Sequence, residues 1–187
     1  MKKNNYICKM EIYLIRHTSV DIPTGICYGQ SDVDVKSSFP EEASFVKLQI
    51  EGIAFDRVYT SPLTRARKLA SFCGFPDAEP DSRLIEFNFG DWELQSYERL
   101  YSEDSYFRAW INDYLHLRCP NGDNLMDQVA RVRSFLISVN QEGHNKVCAF
   151  CHGGVLAIGR SICNGISLPD SFKNVPPYGS VMHLHFG

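Results

Sequence analysis

Three apolar runs in this chain of 187 residues each stop at residues suited to gripping an anion. Ile12-Tyr13-Leu14-Ile15 runs into Arg16-His17, Arg57-Val58-Tyr59 into Thr60-Ser61-Pro62-Leu63-Thr64-Arg65, and Val147-Cys148-Ala149-Phe150-Cys151 into His152-Gly153-Gly154. Short apolar runs of this kind read as buried strands. Open α/β sheets bind ligands at the carboxyl ends of their strands, where helix N-termini also point their amides. Three such runs side by side and parallel would bring two arginines and two histidines onto one anion.

The rest of the chain limits what kind of molecule carries that site. A hydrophobic content of 44% with 22% charged residues is enough to bury a core, and the length suits one domain, expected over residues 10–187. A net charge of -3 gives no global pull toward nucleic acid or an anionic membrane, so neither is expected as a partner and any anion binding must be local. The seven cysteines, an odd number set mostly in apolar stretches, read as reduced thiols of a cytoplasmic protein. Lys2, Lys3, Asn4, Asn5 and Lys9 interrupt any apolar stretch near the start, so residues 1–9 read as a flexible leader and not as a signal peptide or membrane span.

Strands and helices alternate, which predicts an α/β fold. Strands are expected at about 11–16, 56–60, 146–151 and 180–186, and helices at about 40–52, 62–73 and 153–163. Tyr97 to Leu117 has helix-like spacing of apolar residues. Asp123 or Asn124 is placed to cap a helix that carries Leu125, Val129, Val132, Phe135 and Leu136 on one face.

The chemistry starts at Arg16-His17. A neutral imidazole can attack phosphorus and hold it as phosphohistidine, which splits a slow hydrolysis into two easier steps without a metal. A guanidinium beside it binds two phosphate oxygens and stays charged at any working pH. Arg65 and His152 would add donors that strengthen as charge spreads over the transferring oxygens, while Gly153 and Gly154 permit close backbone approach. Taken singly, Arg65 is as readily a solvated helix residue paired with a carboxylate, and His152 a polar strand terminator.

Four separated segments resemble the histidine phosphatase superfamily, whose fold is called phosphoglycerate mutase-like. Leu14-Ile15-Arg16-His17 is similar to its first motif and Tyr59-Thr60-Ser61-Pro62-Leu63-Thr64-Arg65-Ala66 to its second. Leu84-Ile85-Glu86-Phe87-Asn88-Phe89-Gly90-Asp91-Trp92-Glu93 is similar to the third and Cys151-His152-Gly153-Gly154 to the fourth. The resemblance implies a three-layer α/β/α fold with a mostly parallel sheet and helices on both faces. It implies that His17 is the nucleophile, that Arg16, Arg65 and His152 form the phosphate pocket, and that Glu86 is general acid and then base. A leaving alkoxide needs a proton, which a carboxyl group beside the anion can supply. The plainer alternative pairs Glu86 with Arg83 or Arg99. No cofactor and no metal are implied, and the partner is a small phosphorylated metabolite. Nothing in the sequence sets the oligomeric state.

The chain departs from the pattern in two places. The family commonly has Asn a few positions after Arg-His, where Pro23 stands here; Thr18 or Ser19 offers a hydroxyl instead. The glycine usual after Trp-Glu is replaced by Leu94-Gln95, which puts the local turn in question. Within the superfamily, Arg-His-Thr followed by Cys27-Tyr28-Gly29-Gln30-Ser31-Asp32-Val33 resembles the α-ribazole phosphatase group, which dephosphorylates a nucleotide-loop precursor in cobalamin synthesis. Tyr28 and Gln30 are then candidates to touch the substrate beyond its phosphate. A broad small-molecule phosphatase or a mutase-like enzyme are the alternatives, and a silent phospho-ligand-binding module is the alternative of another class. Such a module would need the arginines but neither His17 nor Glu86.

Other chemistries fit less well. Cys148-Ala149-Phe150-Cys151-His152 spells a haem-attachment pattern, but in a strand the two cysteines point to opposite faces. Asp32-Val33-Asp34 imitates the paired aspartates of magnesium-dependent phosphatases without the apolar strand those need before them. His183 and His185 share one strand face without a third ligand.

Overall fold

The alternation within the strands decides the layers. In β1 (Met10–Arg16) and β4 (Lys146–Cys151), Ile12, Leu14, Val147, Ala149 and Cys151 enter one apolar core, while Ile15, Cys148 and Phe150 enter another on the opposite side of the sheet. A strand buried on both faces needs helices on both, as seen in the computed structural model, which describes residues 9–187. The leader expected over residues 1–9 lies, apart from Lys9, outside the described residues.

Helices α1 (Phe39–Ile50) and α2 (Thr64–Phe72) cover one face through Ala43, Val46, Ile50, Ala66 and Leu69. The other face is covered by α5 (Leu125–Gln141) and α6 (Gly153–Asn164), with Val132, Phe135, Val155 and Leu156 inside. β2 (Arg57–Thr60), β3 (Glu79–Pro80) and β5 (Val181–Phe186) complete the sheet, in the order β3-β2-β4-β1-β5. All neighbours are parallel except β1 and β5. The mostly parallel three-layer fold is therefore as expected.

Two segments differ from the sequence-based expectation. The helix expected across 97–117 is broken into α3 (Tyr97–Glu103) and α4 (Ser105–Asn112) by Asp104. Its extended backbone interrupts the helix, and its carboxylate accepts from the amides of Tyr106 at 2.8 Å and Phe107 at 3.1 Å. A further helix, α7 (Leu168–Lys173), lies between the helix expected at about 153–163 and the strand expected at about 180–186. Pro169 falls in its first turn, where a missing N–H costs nothing. Asn124 is the cap of α5, in a reciprocal box with Asp127.

Candidate active site

β2, β4 and β1 are adjacent, with Arg16 level with Cys151 and Thr60 level with Phe150. The alignment continues past the strands: the His17 amide donates to the Cys151 carbonyl at 3.0 Å, and the Ser61 amide to Phe150 at 2.8 Å. The three anion-gripping ends therefore open onto one crevice, with His152 at the start of α6.

His17 is buried, and its Nδ1 lies 2.7 Å from the main-chain oxygen of Thr18. A carbonyl only accepts, so Nδ1 carries the proton and the Nε2 lone pair is free. Burial first, then the Arg65 charge, lowers the His17 pKa to about 3; the Thr18 hydrogen bond opposes this and Arg16 adds to it. At neutral pH the ring is an uncharged imidazole, the form a nucleophile needs. His152 lies with its ring centre 5.2 Å from that of His17, its Nε2 against the Ser61 hydroxyl at 2.7 Å. Burial, and after it Arg65, holds its pKa well below the usual histidine value.

Arg65 is not the solvated helix residue of the plainer alternative. It is fully buried, its terminal nitrogens donating to the carbonyls of Ser31 and Gly29, with Tyr28 facing its guanidinium. Arg16 donates to the carbonyl of Pro176 and carries the Tyr178 ring 4.2 Å from its guanidinium carbon. Nε of Arg16, Nε of Arg65 and Nδ1 of His152 are buried without a partner among the described residues. Such groups are seldom left unpaired, and three around one histidine suit the oxygens of a phosphoryl group.

Glu86 stands on the loop between β3 and α3, and its carboxylate is held from three sides. Oε1 accepts from the Phe87 amide at 2.9 Å and from Nε2 of Gln128 at 2.7 Å; Oε2 accepts from the Gly154 amide at 3.1 Å. A side chain at position 154 would strike Glu86 Oε1 and come within 2.9 Å of the Gln128 amide. A side chain at 153 would meet Val175 at 2.8 Å and Arg16 at 3.0 Å. Neither glycine therefore has room for a side chain. Arg83 pairs with Asp81 and Arg99 with Glu103, so the alternative partners of Glu86 are engaged elsewhere.

A cavity of about 540 Å³ opens from Arg16, His17, Glu86, Gly153 and Gly154. Its outer wall is mainly apolar and aromatic, including Phe87, Phe89, Tyr97, Trp110, Tyr114 and Phe172. Ser19, Tyr28 and Pro23 also line it, and the Tyr28 hydroxyl meets that of Tyr178.

Other expected contacts need correction. Thr18 is buried off the cavity wall; its carbonyl accepts from Nδ1 of His17, and its hydroxyl, like Nε of Arg16 and Arg65, is buried without a partner among the described residues. Gln30 is also off the wall: its side chain donates to the main-chain oxygen of Glu86 at 3.0 Å and braces the loop. Glu93 braces the same region, accepting from the amides of Gly29, Gln30 and Ser31 and from the Ser31 hydroxyl. Arg65 and His152 are buried beneath the wall and not exposed on it.

The rival motifs resolve into structure. Asp32 accepts from the amide and hydroxyl of Thr64 at the start of α2, and Asp34 pairs with Lys68. Cys148 and Cys151 lie in opposite cores. His183 stacks on Tyr13 and contacts Glu11. Sequence reasoning passes over Tyr178 and Gln128. Nothing local marks Tyr178, whereas Gln128 is a polar residue on the buried stripe of α5, a signal that the sequence does carry.

The model of the histidine phosphatase superfamily (branch 1) matches residues 12–187. The adenosylcobalamin/alpha-ribazole phosphatase of Escherichia coli K12 is 30% identical over 156 residues, covering 80% of this chain and 76% of that relative. The crystal structure of the alpha-ribazole phosphatase from Shigella flexneri superposes with a TM-score of 0.82 at 25% identity, covering 93% of this chain and 89% of the other. Phosphoglycerate mutase from Thermus thermophilus superposes with a TM-score of 0.75 at 22% identity over 95% of this chain and 99% of the other, a likeness of fold.

Proposed function

This chain belongs to the histidine phosphatase superfamily, branch 1, and acts as a phosphatase; from that premise we propose that it hydrolyses α-ribazole 5'-phosphate through a phosphohistidine on His17. The observation that carries the mechanism is the buried, uncharged His17, its Nε2 lone pair freed by the Nδ1 contact to Thr18 and flanked by unpaired donors of Arg16 and Arg65. Nε2 attacks phosphorus, the bond to the leaving oxygen breaks, and Glu86 hands that oxygen a proton. The Glu86 carboxylate then takes a proton from water, the hydroxide attacks phosphorus, and the N–P bond breaks to restore the neutral imidazole and release phosphate. Arg16, Arg65 and His152 hold the phosphoryl oxygens as their charge spreads.

The aromatic wall supports the choice of leaving group. An apolar heteroaromatic base on ribose can bury its ring against Phe89 and Trp110 while its 5'-phosphate reaches His17, whereas a small triose or sugar would leave that wall wet. The naming of the Escherichia coli and Shigella flexneri relatives points the same way.

The test is phosphate release by the purified protein in EDTA from α-ribazole 5'-phosphate, set beside 3-phosphoglycerate, sugar phosphates and nucleoside monophosphates. We expect preference for α-ribazole 5'-phosphate, and a loss of at least about a thousandfold in His17→Ala. Even, His17-dependent release from all substrates overturns the leaving-group assignment. Turnover that survives His17→Ala overturns the mechanism, and no release from any substrate favours a binding module.

A further inference from the structure

We infer that Gln128 is a positioning residue for Glu86, with a side-chain amide that turns over as that carboxyl group gains and loses its proton. This deepens the proposed mechanism and rests on Glu86 being its acid and base. Gln128 lies on α5 among Leu125, Val129 and Val132, fully buried, and also borders the cavity. Nε2 makes one hydrogen bond, to Glu86 Oε1 at 2.7 Å, and Oε1 of Gln128 has no partner among the described residues. A residue needed only for packing would be apolar here, because a buried acceptor without a donor is destabilising.

The other two contacts on the carboxylate are the amides of Phe87 and Gly154, which only donate. Neither can answer a change in the protonation of Glu86, whereas the glutamine amide can. With Glu86 ionised, Nε2–H donates to its Oε1. With a proton on that oxygen, a half-turn of the amide brings the Gln128 oxygen into place as acceptor. Because that oxygen holds no other partner among the described residues, the half-turn breaks no second hydrogen bond there. The carboxyl group thus keeps its place before and after each transfer: as its single proton leaves Gln128 for the leaving oxygen the amide turns back to donate, and it turns again once the carboxylate has taken a proton from water. Gly154, which has no room for a side chain against Glu86 and Gln128, keeps the three groups packed together.

The leaving group provides the test. An alkoxide depends on the proton from Glu86, while p-nitrophenolate leaves without it, and kcat/KM reports only the steps through cleavage of that bond. We expect Gln128→Met to lower kcat/KM for an alkyl phosphate on the order of tenfold and to leave p-nitrophenyl phosphate within about twofold. A retained kcat/KM for p-nitrophenyl phosphate also reports an intact fold, and Gln128→Leu should reproduce the selectivity. In a Glu86→Gln background, Gln128→Met should add nothing. Equal losses on both substrates, or full additivity in the double variant, overturn the inference. If Glu86→Gln alone leaves alkyl phosphate hydrolysis unchanged, the acid assignment itself falls, and the inference with it, a result separable from the previous two.

Discussion

Leu94 adopts φ 63°, a left-handed conformation that its side chain opposes, in the turn directly after the Trp92-Glu93 pair. Its amide donates to the Cys27 carbonyl at 2.7 Å, so the conformation is fixed by the approach of two loops. The side chain itself is largely exposed and contributes little burial. Leu94→Gly should therefore stabilise the protein by about 1 kcal/mol, seen as a higher urea midpoint with an unchanged m-value. A lower midpoint would mean that the leucine packs more than it strains. The departure from the family glycine is visible in the sequence, but not the sign of φ that gives it a consequence. Arg16, His17, Arg65, His152 and Glu86 are legible because their side chains announce their chemistry. Gln30 misleads because an amide suits a ligand and a neighbouring loop equally well, and only the hydrogen bond of its side chain to the Glu86 main chain decides between them.

At the scale of elements, strands buried on both faces are easy to place, and β4 occupies the residues expected of it. Short elements are not. α7 has six residues and a proline in its first turn, while α3 and α4 share a continuous apolar spacing that conceals the break between them. Asp104 makes that break and then uses its second carboxylate oxygen, Oδ2, to accept from the buried Trp92 indole at 2.9 Å. It thereby joins the helix pair, which brings Trp110 to the cavity, to the turn beside the proposed acid. Asp104→Ala removes the cap and the indole acceptor together and should cost about 2 kcal/mol in unfolding free energy. Asp104→Asn keeps an oxygen for the cap and should retain most of it. Equal losses in the two variants would show that charge, and not the cap, is what matters there.

The whole molecule carries the consequence of burying two uncharged imidazoles. His17, lowered to about 3, and His152, lowered well below the ordinary value, stay unprotonated in the folded protein at pH values where the unfolded chain's histidines, with pKa near 6.5, take up protons. The unfolded state then binds more protons, so stability from this source is complete above about pH 6.5 and declines as pH falls. The slope reaches about 1.4 kcal/mol per pH unit for each histidine. Glu93 and Asp81 also have lowered values, since hydrogen bonds outweigh the burial that acts to raise them, but both are ionised in either state above about pH 5. Chemical unfolding between pH 5 and 6.5 therefore isolates the imidazoles. His17→Asn should flatten the dependence there by up to one proton. An unchanged slope would mean that His17 is protonated in the folded protein, and with it the free lone pair on Nε2 would be lost.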